Sequence, residues 1–262
     1  MFVTIGERRV HAVAFGPRSL PLVAMAGSIG SWEIWQQPME LLSSRFRVVA
    51  IDHDGVGETK VASVDAICFE QLVETLLSTL DALEIDDCVL AGDSNNVAVA
   101  LEAALRQPSR FRGLVLVSGA AWGFDRPDVR RFIGALRADF PNTVDAFAKR
   151  CLPEDREGHL QRWLSDIIHR TGCDACCRLI EAYFGIDLRE RLHEIEVPTL
   201  VIHGALDRLH PDAGADAQRL TAALPNARLE VLDQAGHVPT LSQPEQVAEW
   251  IEALMRQVER QV

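Results

Sequence analysis

The chain has little that would suit a charged polymer or a membrane. Lys and Arg number 26 against 38 Asp and Glu in 262 residues, a formal charge of −12. Nucleic acids and anionic bilayers are bound by basic footprints, so neither is expected as a partner. No apolar run approaches the roughly 20 residues of a membrane-spanning helix. The opening Met1–Arg9 also lacks the basic-then-apolar order of a secretory leader, so a cytoplasmic location is expected. Cysteine is scarce, six residues in all, too few to staple a chain of this size. Cys173, Cys176 and Cys177 lie together, with His169 one helical turn earlier. No second ligand pair at zinc-site spacing accompanies them, and Cys177, Ile180 and Phe184 fall on one helical face. They read as small buried side chains, and no metal site is expected.

What is present is apolar and periodic. At 48% apolar content the chain can bury a large core, as one domain with or without an insertion. Phe2–Ile5 and Arg9–Phe15, around the turn Gly6-Glu7-Arg8, predict an antiparallel pair. Apolar runs follow at Pro21–Ala26, Phe46–Ile51, Cys88–Ala91, Gly113–Val117, Thr199–Ile202 and Leu229–Leu232. Between them lie helical patterns: Trp32–Leu42 with Trp32, Trp35 and Met39 on one face, Phe69–Glu84, Val97–Leu105 and Ala213–Leu224. Ser242-Gln243-Pro244-Glu245 has the spacing of a capping box before a last helix. Apolar strands alternating with helices predict a mostly parallel, eight-stranded α/β sheet covered on both faces.

The alternation fails between Trp122 and Glu194, where only helical patterns occur: Pro127–Phe140, Pro141–Cys151, Glu157–His169 and Cys173–Phe184. Helices inserted after a strand's C-terminal end lie where open α/β sheets bind ligands. The expected organisation is therefore a core of residues 1–121 and 195–262 with residues 122–194 as a helical cap.

Cys88–Ala91 breaks at Gly92 and leads through Asp93-Ser94-Asn95-Asn96 into an apolar helix. A serine on so sharp a strand-to-helix turn stands above the sheet edge, with the first amides of the helix facing the same space. By itself Ser94 also fits a turn serine capping a helix. Two further elements stand at strand ends. His203-Gly204-Ala205-Leu206-Asp207 precedes Pro211, and Asp233-Gln234-Ala235-Gly236-His237 follows the last strand.

Gly92-Asp93-Ser94-Asn95-Asn96 resembles the Gly-x-Ser-x-Gly nucleophile elbow of the α/β-hydrolase family, with Asn96 in the place of the last glycine. Ser94, Asp207 and His237 stand in that family's order of nucleophile, acid and base. Asp52 to Gly57 resembles its Asp-x-x-Gly-x-Gly turn, so the likeness covers almost the whole chain. It implies a nucleophile Ser94, a base His237 and an orienting acid Asp207, with Asp125 as the next carboxylate to consider. The backbone N–H groups of Ser28 and Asn95 would form the oxyanion hole. Counting from Gly92 puts Ser94 at the apex and not Asp93, the position an aspartate nucleophile would need. Where a histidine commonly precedes the oxyanion glycine, this chain has Ala26; that histidine usually supports loop shape. His210 is expected at the rim.

Ile29, Trp32, Trp122 and Phe124 are the candidate substrate contacts, all apolar. The expected activity is hydrolysis of a carboxylic ester or lactone of a small apolar substrate through an acyl-enzyme. Such chemistry needs no cofactor. The family's alternatives stay open: a C–C bond hydrolase of ring-cleavage products, or a ligand-binding or signalling module with weak turnover. Expected partners are a small-molecule substrate and at most a second copy of the chain in a homodimer.

Overall fold

The computed structural model describes residues 1–6, 8–17, 19–209 and 212–260. Strands β1 (Phe2–Ile5) and β2 (Arg8–Phe15) pair antiparallel around a turn at Gly6. Glu7 of that turn, and His210 and Pro211 near the expected rim, lie outside the described residues. The apolar runs become β3 (Leu22–Met25), β4 (Val48–Ile51), β5 (Cys88–Asp93), β6 (Phe111–Val117), β7 (Thr199–Gly204) and β8 (Ala227–Leu232). Every residue of β3, β4, β5 and β7 is buried, as expected of strands covered on both faces. The edge strand β8 buries only Leu232 fully.

The eight strands lie in the order β1-β2-β4-β3-β5-β6-β7-β8. β2 runs antiparallel to β1 and β4, and the others are parallel. From β3 the chain passes to β4 on one side and then to β5 on the other. This reversal leaves a crevice at the C-terminal ends of β3 and β5, where the loops after the two strands diverge.

The helices are α1 (Gln36–Leu42), α2 (Phe69–Ala82), α3 (Asn96–Arg106), α4 (Pro127–Ala138), α5 (Phe140–Cys151), α6 (His159–Thr171), α7 (Cys173–Glu181), α8 (Ala213–Ala223), α9 (Pro239–Ser242) and α10 (Pro244–Glu259). α1 packs on α10 and α2 packs on α3, while α3 and α10 both pack on β6. The expected helix Trp32–Leu42 is two pieces, a 3-10 turn Trp32–Trp35 and then α1.

The expected capping box does not form. Gln243 caps α10, and Ser242 ends α9 with its hydroxyl buried among groups that give it no partner. Pro239 and Pro244 each open a helix, so the chain breaks between them instead of extending into Ser242.

Helices α4 to α7 lie between β6 and β7, which pair directly, so the sheet passes under the insertion without interruption. α4 packs on α5 and α7, and α6 on α5 and α7, giving the insertion its own layer. Cys173, Cys176 and Cys177 donate to the carbonyls of Leu136, Ile168 and Ile133, so they join α7 to α4 and α6. Among the described residues, no helix is long and apolar enough to cross a membrane.

Candidate active site

Ser94 follows β5 directly and has φ of +56°, a left-handed conformation rare outside glycine. It is held there from both sides. Its amide donates to the Val117 carbonyl on β6 at 2.8 Å, and its carbonyl accepts from Val97 at 3.1 Å. Close packing of the helix on the strand needs a residue without Cβ at Gly92: a Cβ there would lie 2.5 Å from the Asn96 carbonyl oxygen. Strand end, turn and helix start together lift the Ser94 hydroxyl above the sheet edge.

Two loops reach that hydroxyl. His237, after β8, brings Nε2 to 2.9 Å from Ser94 Oγ, and its Nδ1 lies 2.7 Å from Asp207 Oδ2 after β7. The second carboxylate oxygen of Asp207 accepts from the Leu209 amide at 3.0 Å, which fixes its plane. The Asp207 carboxylate is almost fully buried, and the His237 ring nearly so. Burial alone would raise the Asp207 carboxyl, but the charge and hydrogen bond of His237, with the Leu209 amide, take it down to about 2. Burial would lower the His237 imidazole; Asp207 first, then Asp93, outweigh it and hold the ring above its ordinary value. The arrangement can take a proton from Ser94 and stabilise the resulting imidazolium.

Asp93, beside Ser94, is buried, and one of its carboxylate oxygens has no partner among the described residues. Burial pushes its carboxyl up to about 7 against the opposing pull of His237. Asp125, the alternative acid, is exposed and paired with Arg130 through contacts of 2.6 and 2.7 Å, away from the imidazole.

The loop after β3 lies against the elbow. A Cβ on Gly27 would stand 3.2 Å from the Ser94 Cβ. Among the described residues, the main-chain N–H groups of Ser28 and Asn95 are engaged in no hydrogen bond. They are available to an anion formed beside Ser94.

A cavity of about 200 Å³ opens above Ser94. Ile29, Trp122 and Phe124 line it, as expected from the sequence. Trp32 does not. Its amide donates to Asp52 Oδ1 at 2.8 Å and its half-buried ring packs on the core, because Asp52 organises this region. The same carboxylate also takes hydrogen bonds from His11 Nδ1 and the Glu58 amide, so the Asp-x-x-Gly-x-Gly turn anchors loops outside the cavity.

Sequence reasoning missed most of the other walls. Phe132, Phe147, Ile168 and Ile180, from α4, α5, α6 and α7, add to the apolar lining. Their signal was present in the sequence as helical periodicity, but periodicity does not say which cavity a face meets. Asp128, Phe132, Phe147, Arg150, Asp207 and Leu209 also line a wider neighbouring groove. Two supports of His237 were also missed. Its amide donates to the Cys151 carbonyl, and Gly236 donates to Glu154 Oε1 at 2.8 Å.

Residues 21–244 match the sequence model of the family described as the alpha/beta hydrolase fold. A putative carbamate hydrolase RutD from Caulobacter sp. (strain K31) is 30% identical over 254 residues, covering 90% of this chain and 91% of that protein. A pimeloyl-[acyl-carrier protein] methyl ester esterase from Nitrosomonas europaea is 29% identical over 235 residues, covering 84% and 90%. Among solved structures, the enol-lactonase from Burkholderia xenovorans LB400 superposes with a TM-score of 0.87 at 23% identity, covering 98% of this chain and 100% of that one.

Proposed function

This chain belongs to the α/β-hydrolase fold family, and on that premise we propose that it is a serine hydrolase cleaving a carboxylic ester or lactone of a small apolar substrate. The observation that carries this reading is the pair of contacts of His237, 2.9 Å to Ser94 Oγ and 2.7 Å to Asp207 Oδ2. His237 takes the Ser94 proton as the oxygen attacks the acyl carbon, and Asp207 steadies the imidazolium. The amides of Ser28 and Asn95 hold the oxyanion. His237 then passes its proton to the leaving alkoxide, leaving an acyl group on Ser94. Water, deprotonated by the same imidazole, adds to the acyl carbon, and Ser94 departs with the proton.

The relatives' names mention a carbamate, a methyl ester and an enol-lactone. All three carry an acyl carbon bonded to oxygen or nitrogen, which supports this bond type. The apolar lining supports a small hydrophobic acyl or alcohol group. Residues 122–194 serve in this reading as a cap that shapes the cavity and excludes water.

A panel of p-nitrophenyl esters and aliphatic lactones tests it. The wild-type protein hydrolyses short apolar members. Ser94→Ala and His237→Ala each lower kcat by about 10⁴-fold, and the double variant is no worse than either alone. Additive losses, or Ser94→Ala retaining turnover, would contradict it.

A further inference from the structure

The elbow ends in Asn96 where the family pattern has glycine, and the oxyanion loop begins at Ala26 where that pattern commonly has a supporting histidine. These two departures meet in space. Asn96 Nδ2 donates to the Ala26 carbonyl at 2.6 Å, and Asn96 Oδ1 accepts from the Tyr183 phenol at 2.5 Å. Next to it, Asn95 Nδ2 donates to Ser28 Oγ at 3.2 Å.

The two amides available to an oxyanion stand on separate segments, one after β3 and one after β5. An oxyanion hole works only when its donors are held to within a few tenths of an ångström of hydrogen-bond distance, about 3 Å, from the developing charge. The ladder between β3 and β5 ends at Met25 and Gly92, so beyond it a tie between the two loops must set that spacing. The two asparagine side chains are such ties, one on each side of the Ser28 amide. Ala26 offers no side chain to shape the loop, and a glycine at 96 would offer none to grip it.

The Asn96 amide has one orientation that satisfies both neighbours. The Ala26 carbonyl can only accept, so it must face Nδ2, which leaves Oδ1 for a donor. Tyr183 is that donor. Its phenol is fully buried, and burial pushes its ionisation up, so it keeps its proton. Its ring is held between Phe69 at 5.7 Å and the cavity-lining Phe124 at 5.4 Å, just beyond the end of α7.

We propose that Asn95 and Asn96 are positioning residues that clamp the two oxyanion-binding amides in register, with Tyr183 locking Asn96 in the orientation the clamp requires. The inference rests on the serine-hydrolase reading for its catalytic meaning, but the clamp is measurable without it.

Asn96→Asp keeps the side chain's size and sets a carboxylate against the Ala26 carbonyl. Tyr183→Phe removes only the hydroxyl and is the variant best placed to stay folded. Amide hydrogen exchange over residues 26–30 should quicken in both. With a p-nitrophenyl ester, kcat should fall about 10- to 100-fold for Asn96→Asp and about 3- to 10-fold for Tyr183→Phe, with KM and the pH profile unchanged. Affinity for a trifluoromethyl ketone, whose adduct is tetrahedral, should fall by the same factor as kcat/KM, and affinity for the product carboxylate should not move. Unchanged exchange over residues 26–30 in both variants would overturn the clamp, as would a lowered Tm with kcat intact. A wild-type protein that hydrolyses no ester and forms no fluorophosphonate adduct would instead remove the serine-hydrolase reading, with the exchange data still deciding the clamp.

Discussion

The main-chain N–H of His237 donates to the carbonyl of Cys151 at 2.7 Å, so the loop carrying the imidazole is tied to the last residue of α5. The neighbouring Gly236 amide donates to the Glu154 carboxylate just beyond that helix. The insertion therefore holds the His237 loop as well as walling the cavity.

Removing the carboxylate should loosen the imidazole. Glu154→Ala should cost about 1–3 kcal/mol of stability, since the Gly236 amide loses its acceptor. It should also lower kcat about tenfold through misplacement of the base, with KM little changed. Glu154→Gln keeps an acceptor and should recover most of both. Denaturant melts and ester kinetics on the two variants check this.

The pH dependence has a defined sign. His237 must be neutral to take a proton, so kcat/KM should fall as pH drops through a midpoint above the ordinary histidine value of 6.5. Asp93, when ionised, helps hold the ring up. Asp93→Asn should therefore move this acid limb to lower pH, as a pH–rate profile on both proteins would show.

The same residue burdens the fold. With its carboxyl at about 7 in the folded chain against 3.8 ordinarily, the folded state binds more protons than the unfolded state between those values. Stability contributed by this group is thus lost as pH rises from about 4 to about 7, each tenfold in proton affinity being worth about 1.4 kcal/mol. Asp93→Asn should raise Tm at pH 8 by several degrees and leave it little changed near pH 4. A Tm gain that does not depend on pH would show that packing, and not ionisation, is responsible.

Phe132 and Trp32 contrast a cavity-lining ring with one packed on the core. Phe132 stacks on Phe147 at 4.9 Å and both line the cavity. Phe132→Ala should shift preference toward longer acyl groups, raising their kcat/KM relative to acetate by about tenfold. Trp32→Ala should lower Tm and leave that ratio unchanged, because the ring packs on the core. Competition between acetyl and hexanoyl esters reads both.

The sheet was legible because its strands are continuous apolar runs, and the insertion because those runs stop between Val117 and Thr199. The convergence of Ser94, Asp207 and His237 was legible for a related reason: each stands just past a strand end in a parallel sheet, and such ends share one edge. What could not be read is contact between elements with no common periodicity. Trp32 has the spacing of a helical face, but that spacing cannot tell the cavity from the core, and the Asp52 hydrogen bond decides it. Tyr183 and Asn96 are 87 residues apart, and nothing in either local pattern announces the other. Glu154 reads as an ordinary polar residue until Gly236 is placed beside it.

Ser94 is proposed here as an activated nucleophile. A turn serine does not react with fluorophosphonates, whereas one deprotonated by His237 and faced by the Ser28 and Asn95 amides does. Intact-protein mass spectrometry after fluorophosphonate treatment should give one adduct per chain, mapping to the peptide containing Ser94 and lost in His237→Ala. A folded wild-type protein that remains unlabelled, or that is labelled equally in His237→Ala, would show that Ser94 is not activated by His237.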